Sequence, residues 1–101
     1  MAKNEIGQWT TPSPTIYVPD ALFTEASKIV VTFRQGNYTF DKTDPEVIDD
    51  EHIKIDLTQQ ETGKLVEGKV KAMVNYIING KRSMTYKLDI TVIDNLKDEL
   101  L

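Results

Sequence analysis

A chain of 101 residues with a formal net charge of −4 and no cysteine has room for one domain and excludes several classes of function. It lacks a thiolate for a disulfide, a metal or a nucleophile, and it offers no basic footprint for a phosphate backbone. The start, MAKNEIGQW, has no apolar signal-peptide core, and no run approaches the roughly 20 apolar residues of a membrane span. The expectation is a soluble protein kept in the cytoplasm, with neither nucleic acid nor membrane as partner.

In residues 1 to 14, Pro12 and Pro14 interrupt any continuous ladder, so this stretch reads as an extended arm carrying the sole tryptophan, Trp9. Thr15 to Val18 can form a short edge strand before Pro19-Asp20 turns the chain. Ala21 to Ala26 then reads as a connector with Leu22 or Phe23 tucked inward. In Ser27 to Gln35, Ile29, Val31 and Phe33 alternate with more polar neighbours, and Tyr38 and Phe40 resume the pattern after Gly36-Asn37. The apolar set changes from odd to even numbers, which demands an even loop. A two-residue type II′ turn, glycine first, opposes Phe33 to Phe40.

Asp41 to Asp50 is acidic and broken by Pro45, so it reads as mostly loop, with Val47-Ile48 as a short strand. Ile53, Ile55 and Leu57 alternate as a half-buried strand. Thr58-Gln59-Gln60-Glu61 then has the spacing of a capping box, which predicts a short helix limited by Gly63 and Gly68 and anchored by Leu65. From Lys69 to Ile93, Val70, Ala72, Val74, Tyr76 and Ile78 face Met84, Tyr86, Leu88, Ile90 and Val92 across Asn79-Gly80. All lie on even numbers. Parity therefore predicts a three-residue loop, Ile78-Asn79-Gly80, opposing Val74 to Met84, Ala72 to Tyr86 and Val70 to Leu88. After Asp94-Asn95, Leu96 and Leu100 can share one helical face in an acidic tail. The resulting expectation is an all-β, immunoglobulin-like β-sandwich of six or seven strands with one helical turn, spanning residues 15 to 95 between the arm and a 96–101 tail.

Chemistry-bearing motifs are few. His52, the only histidine, adjoins Asp49, Asp50 and Glu51, but the run lacks the alternating ligands and tight-bend glycine of a calcium loop. It reads as a solvated turn. No phosphate loop, dinucleotide turn, zinc-helix motif or nucleophile elbow occurs, and neither a cofactor nor a catalytic residue is assigned. The residues singled out for contact with a partner are Trp9, Leu96, Leu100 and Leu101, apolar groups in segments that proline, charge or position sets apart from the strands. The alternative is a ligand- or carbohydrate-binding module that uses Trp9, Tyr17 and Tyr76 as a stacking platform.

Several segments together carry a family resemblance. SKIVVTFRQG at 27 to 36, IKIDLTQQET at 53 to 62, GKVKAMVNYIINGKR at 68 to 82 and the ending VIDNLKDELL resemble small proteins of the structural modules of phages and prophages of Gram-positive bacteria. The order of elements is similar to the amino-terminal module of phage baseplate upper proteins. The resemblance implies a non-enzymatic structural protein of the tail or baseplate region, in contact with other tail proteins or with further copies of itself. It would be present in the bacterial cytoplasm during assembly and in the virion if incorporated.

Overall fold

A computed structural model describes residues 5–85 and 87–101. Nine strands are found among them: β1 (Glu5–Gly7), β2 (Thr15–Tyr17), β3 (Lys28–Gln35), β4 (Tyr38–Thr43), β5 (Glu46–Asp49), β6 (His52–Lys54), β7 (Gly68–Ile78), β8 (Lys81–Met84) and β9 (Leu88–Ile93). A 3-10 turn at Phe23–Glu25 and one short helix, α1 (Gln59–Gly63), complete the regular structure. The protein is thus all-β in two sheets. One has the order β1-β9-β7-β3-β4, with β8 also on β7, and the other has the order β2-β6-β5.

Alternation decides which residues fill the core. Ile29, Val31 and Phe33 of β3 and Val70, Ala72 and Val74 of β7 are buried on one face of the larger sheet, while Ile16 and Ile53 are buried on the smaller. All belong to one continuous apolar cluster. Burying each such side chain contributes about 1.5–3 kcal/mol relative to exposure. Phe33 pairs with Phe40 as parity required, the two rings stacked at 4.9 Å. At the turn between them Gly36 takes a φ of 59° and Asn37 does not share it, the pattern of a type II′ hairpin.

The second hairpin corrects its predicted register. Asn75, not Val74, lies opposite Met84, and Ile78 lies opposite Lys81, so the loop is the two-residue Asn79-Gly80. Both residues have positive φ, 53° and 76°, as a type I′ turn requires, and Asn-Gly is the pair best suited to it. Parity is restored farther along, because Ala72 lies opposite Leu88 and Val70 opposite Ile90. One extra residue has entered between Met84 and Leu88, a bulge. At its start Thr85 N donates to Val74 O, and Val74 N donates to Thr85 Oγ1, so the hydroxyl takes the place of a ladder carbonyl. The expected Val70–Leu88 pair is therefore overturned, and although Tyr86 lies outside the described residues, Ala72 has Leu88 opposite it in place of the expected Tyr86. Met84, expected inward, is 68% exposed.

Residues 5–14 also differ from expectation, while residues 1–4 of the expected arm lie outside the described ones. Glu5–Gly7 pairs parallel with Thr91–Ile93 and buries Ile6, so from Glu5 on this segment is part of the fold rather than an arm. Pro12 and Pro14 cannot donate, yet their carbonyls accept from Leu57 N and Ile55 N at 3.0 and 3.1 Å. The strand edge is therefore satisfied on the one side proline leaves open. The tail shows no helix: Asn95 Oδ1 accepts from Lys97 N in a side-chain turn, so Leu96 and Leu100 share no helical face.

Candidate functional site

The end of the molecule carrying Trp9, α1 and residues 94–101 collects all four contact candidates. α1 forms because Thr58 and Glu61 cap it reciprocally: Glu61 N donates to Thr58 Oγ1 and Thr58 N donates to Glu61 Oε1. Lys42 of β4 reaches the same carboxylate at 3.0 and 3.1 Å, tying the helix to the edge of the larger sheet. Partial burial raises the Glu61 pKa, but the Thr58 amide and Lys42 outweigh it and hold the carboxyl below its ordinary value.

Trp9 lies against this helix. A Cβ built on Gly63 would sit 2.4 Å from Trp9 Cε3, so the indole occupies space that only glycine leaves free. Trp9 itself adopts a left-handed φ of 61°, and its Nε1 donates to Asp98 Oδ1 at 2.5 Å. The adjacent Gln8 is buried and binds two segments. Its Nε2 donates to Leu65 O at 2.6 Å, its Oε1 accepts from Asn95 N, and its backbone carbonyl accepts from Asn95 Nδ2. Leu101 N donates to Gln59 Oε1 at 3.0 Å. Residues 94–101 are thus held along α1 and Trp9 by polar contacts.

Leucine side chains in this segment stay in solvent. Leu96 is 99% exposed, Leu101 92% and Leu100 51%, whereas Trp9 is half-buried. The structure therefore brings Trp9 and the tail together but gives them different parts, with Trp9 as support and the leucines as the surface presented. Sequence reasoning missed Gln8. Its one signal was the two-residue spacing from Ile6, which puts both side chains on the same inward face of β1 and its continuation.

The other candidate groups do not converge. Tyr17 stacks against His52 at 5.1 Å between centroids, Tyr76 meets Phe23 edge-on at 5.2 Å, and Trp9 covers Gly63, so the three rings of the stacking platform have separate partners. His52 Nδ1 and Asp49 Oδ1 are 2.7 Å apart, and that hydrogen bond holds the Asp49 carboxyl below its ordinary pKa. The neighbouring acids serve as turn acceptors: Asp50 takes the Thr24 amide and hydroxyl, and Glu51 takes the Asp20 amide. Among the described residues no group of three His, Cys, Asp or Glu side chains could hold a metal ion, and no helix is long and apolar enough to cross a membrane.

No family model and no curated relative matches the chain.

Proposed function

We propose that this protein is a non-enzymatic structural component of a phage or prophage tail or baseplate, acting through protein contacts. The observation that carries the reading is the 94–101 segment, fastened through its backbone and Asn95 and Asp98 while its three leucines point into solvent. Leucines displayed on a tethered segment have no use in the chain's own core. Their removal from water needs a partner, and burial contributes about 25 cal/mol per Å² before ordering costs. Tethering to Trp9 and Gln59 lowers those costs in advance.

The fold belongs to the same reading as an immunoglobulin-like sandwich. Strand order supports it: β1-β9-β7-β3-β4 runs as A′-G-F-C-C′ and β2-β6-β5 as B-E-D, with β1 parallel to the last strand. The sequence resemblance to phage structural modules supplies the setting, bacterial cytoplasm during assembly and the particle afterwards.

The test uses the full chain and its Leu96→Ser/Leu100→Ser/Leu101→Ser variant, each expressed in the bacterium that encodes the chain while phage production is induced. Mass spectrometry of purified particles should find the full chain and not the variant, with equal melting curves for both. If the full chain is missing from particles and captures no tail protein, the reading is wrong.

A further inference from the structure

At the far end of the long hairpin the larger sheet presents an outer face that the described residues leave bare. Two cross-strand rows lie there: Val30, Asn75 and Met84 in one, Lys28, Ile77 and Arg82 in the next. All of these but Met84 line an open depression of about 260 Å³, together with Thr32, Asp41 and Tyr76. Met84 is 68% exposed, and Val30 and Ile77 are half-buried. Arg82 Nε donates to Asn75 Oδ1 at 3.1 Å, which lays the guanidinium beside the apolar row. None of the ion pairs among the described residues involves Lys28 or Arg82. The one acid at the rim, Asp41, accepts the Thr32 hydroxyl. This face is apolar at its centre and basic at its border, on a chain whose net charge is −4.

Residues 94–101 have the opposite character, three exposed leucines among Asp94, Asp98 and Glu99 against the single Lys97, with Glu99 paired to Lys97 and Asp98 accepting from Trp9 but the segment still net acidic. With the tail held as it is, the two surfaces lie apart within one molecule. β7 runs eleven residues from Gly68, opposite Val92, to Ile78, opposite Lys81. Met84 lies opposite Asn75, seven residues along β7 from Gly68, which at about 3.3 Å per residue separates Val92 from Met84 by roughly 23 Å. The tail is also tied to its own end by Asn95 and Leu101. The longest dimension of the molecule is 45 Å, so the two surfaces lie well apart along its length.

We propose that the leucine tail of one copy docks on the Val30–Ile77–Met84 face of a second copy of this chain, its acids against Lys28 and Arg82. The proposal rests on the reading of the protein as an assembling structural component. Such a contact is head-to-tail: each copy uses two different surfaces, and successive copies close into a ring or extend as a fibre. The charge component weakens with salt.

Sedimentation of the full chain over a range of concentrations, in low and high salt, should show self-association that salt reduces. Leu96→Ser/Leu100→Ser/Leu101→Ser removes the tail surface, and Arg82→Glu/Met84→Glu removes the face. Each alone should weaken self-association about tenfold or more. Mixed in equal amounts, the two variants should form a one-to-one dimer that grows no further, because one intact tail meets one intact face. Met84→Glu alone replaces the double variant if a melting curve shows the latter to be unstable. A mixture that stays monomeric while the full chain assembles would mean a symmetric contact and overturn the proposal, as would unchanged assembly of either variant. A full chain that stays monomeric yet binds tail proteins defeats head-to-tail docking and leaves the functional reading standing. A chain that does neither defeats both.

Discussion

The β3–β4 and β7–β8 hairpins read alike in sequence and fold by different rules. In the first, the turn chemistry of Gly36-Asn37 and the parity of the apolar residues ask for the same two-residue loop, and Phe33 meets Phe40. In the second they conflict. Asn79-Gly80 asks for two residues and the core asks for an odd number, and the chain satisfies both by pairing tightly at the turn and adding one residue before Leu88. Turn geometry therefore governs the first few pairs, where few side chains are buried. Burial governs the strand middle, where a slip would turn Val70, Ala72 and Val74 outward.

The sharpest way to break this account is to place a charge on each of the two residues that parity alone would have made partners. Val74→Asp should destabilise the protein by several kcal/mol, because an unpaired carboxylate would replace a fully buried side chain. Met84→Asp should cost no more than about 0.5 kcal/mol, as for an ordinary surface site. Denaturant melts of the two variants decide it, and similar losses would show that Met84 faces the core after all. Phe33→Ala should cost about 3–5 kcal/mol by the same measurement, since it empties a fully buried site and unstacks Phe40.

Smaller effects sharpen the comparison. Gly63→Ala should cost about 1–3 kcal/mol, as overpacking does, and shift the Trp9 fluorescence, because the new methyl group would meet the indole. Thr85→Val should cost about 1 kcal/mol by removing the hydroxyl that accepts from Val74 N at the bulge. If Thr85→Val melts like the unaltered chain, the bulge is held by pairing on either side and not by this contact.

The mildest expected effect is a pH dependence outside both hairpins. The folded pKa of Glu61 lies below its ordinary 4.5, so its contribution is complete above that value and is lost as pH falls through the folded pKa. Melting temperature should therefore fall in acid below about pH 4.5. Glu61→Gln keeps the capping box but loses the Lys42 ion pair, so it should lower stability at neutral pH by less than about 1 kcal/mol and flatten the part of the acid dependence that arises here. An unchanged acid profile in that variant would assign the dependence to other carboxyls.

Sequence alone determined the elements whose causes are local. Apolar alternation placed β3 and the core of β7, Gly36-Asn37 set a register, and Thr58 with Glu61 wrote a capping box that formed as spelled. Each rests on contacts within a few residues or on a period that the pleat imposes. Tertiary structure decided the rest. Ile6 and Gln8 enter the fold because the edge of β9 offers unpaired backbone groups to the chain start, a partner more than eighty residues away that local pattern does not reveal. Trp9 rests on α1 because Gly63 leaves room for it, and that contact fixes the indole where Asp98 can bind it. Of the four contact candidates, the three leucines were legible as apolar groups out of place, but their separation from Trp9 as presented surface and half-buried support was not. The Val30–Ile77–Met84 face was hidden for a related reason. Whether an apolar residue on a strand faces core or solvent turns on a one-residue register choice, which Asn79-Gly80 and the bulge before Leu88 settle only when both strands are in place.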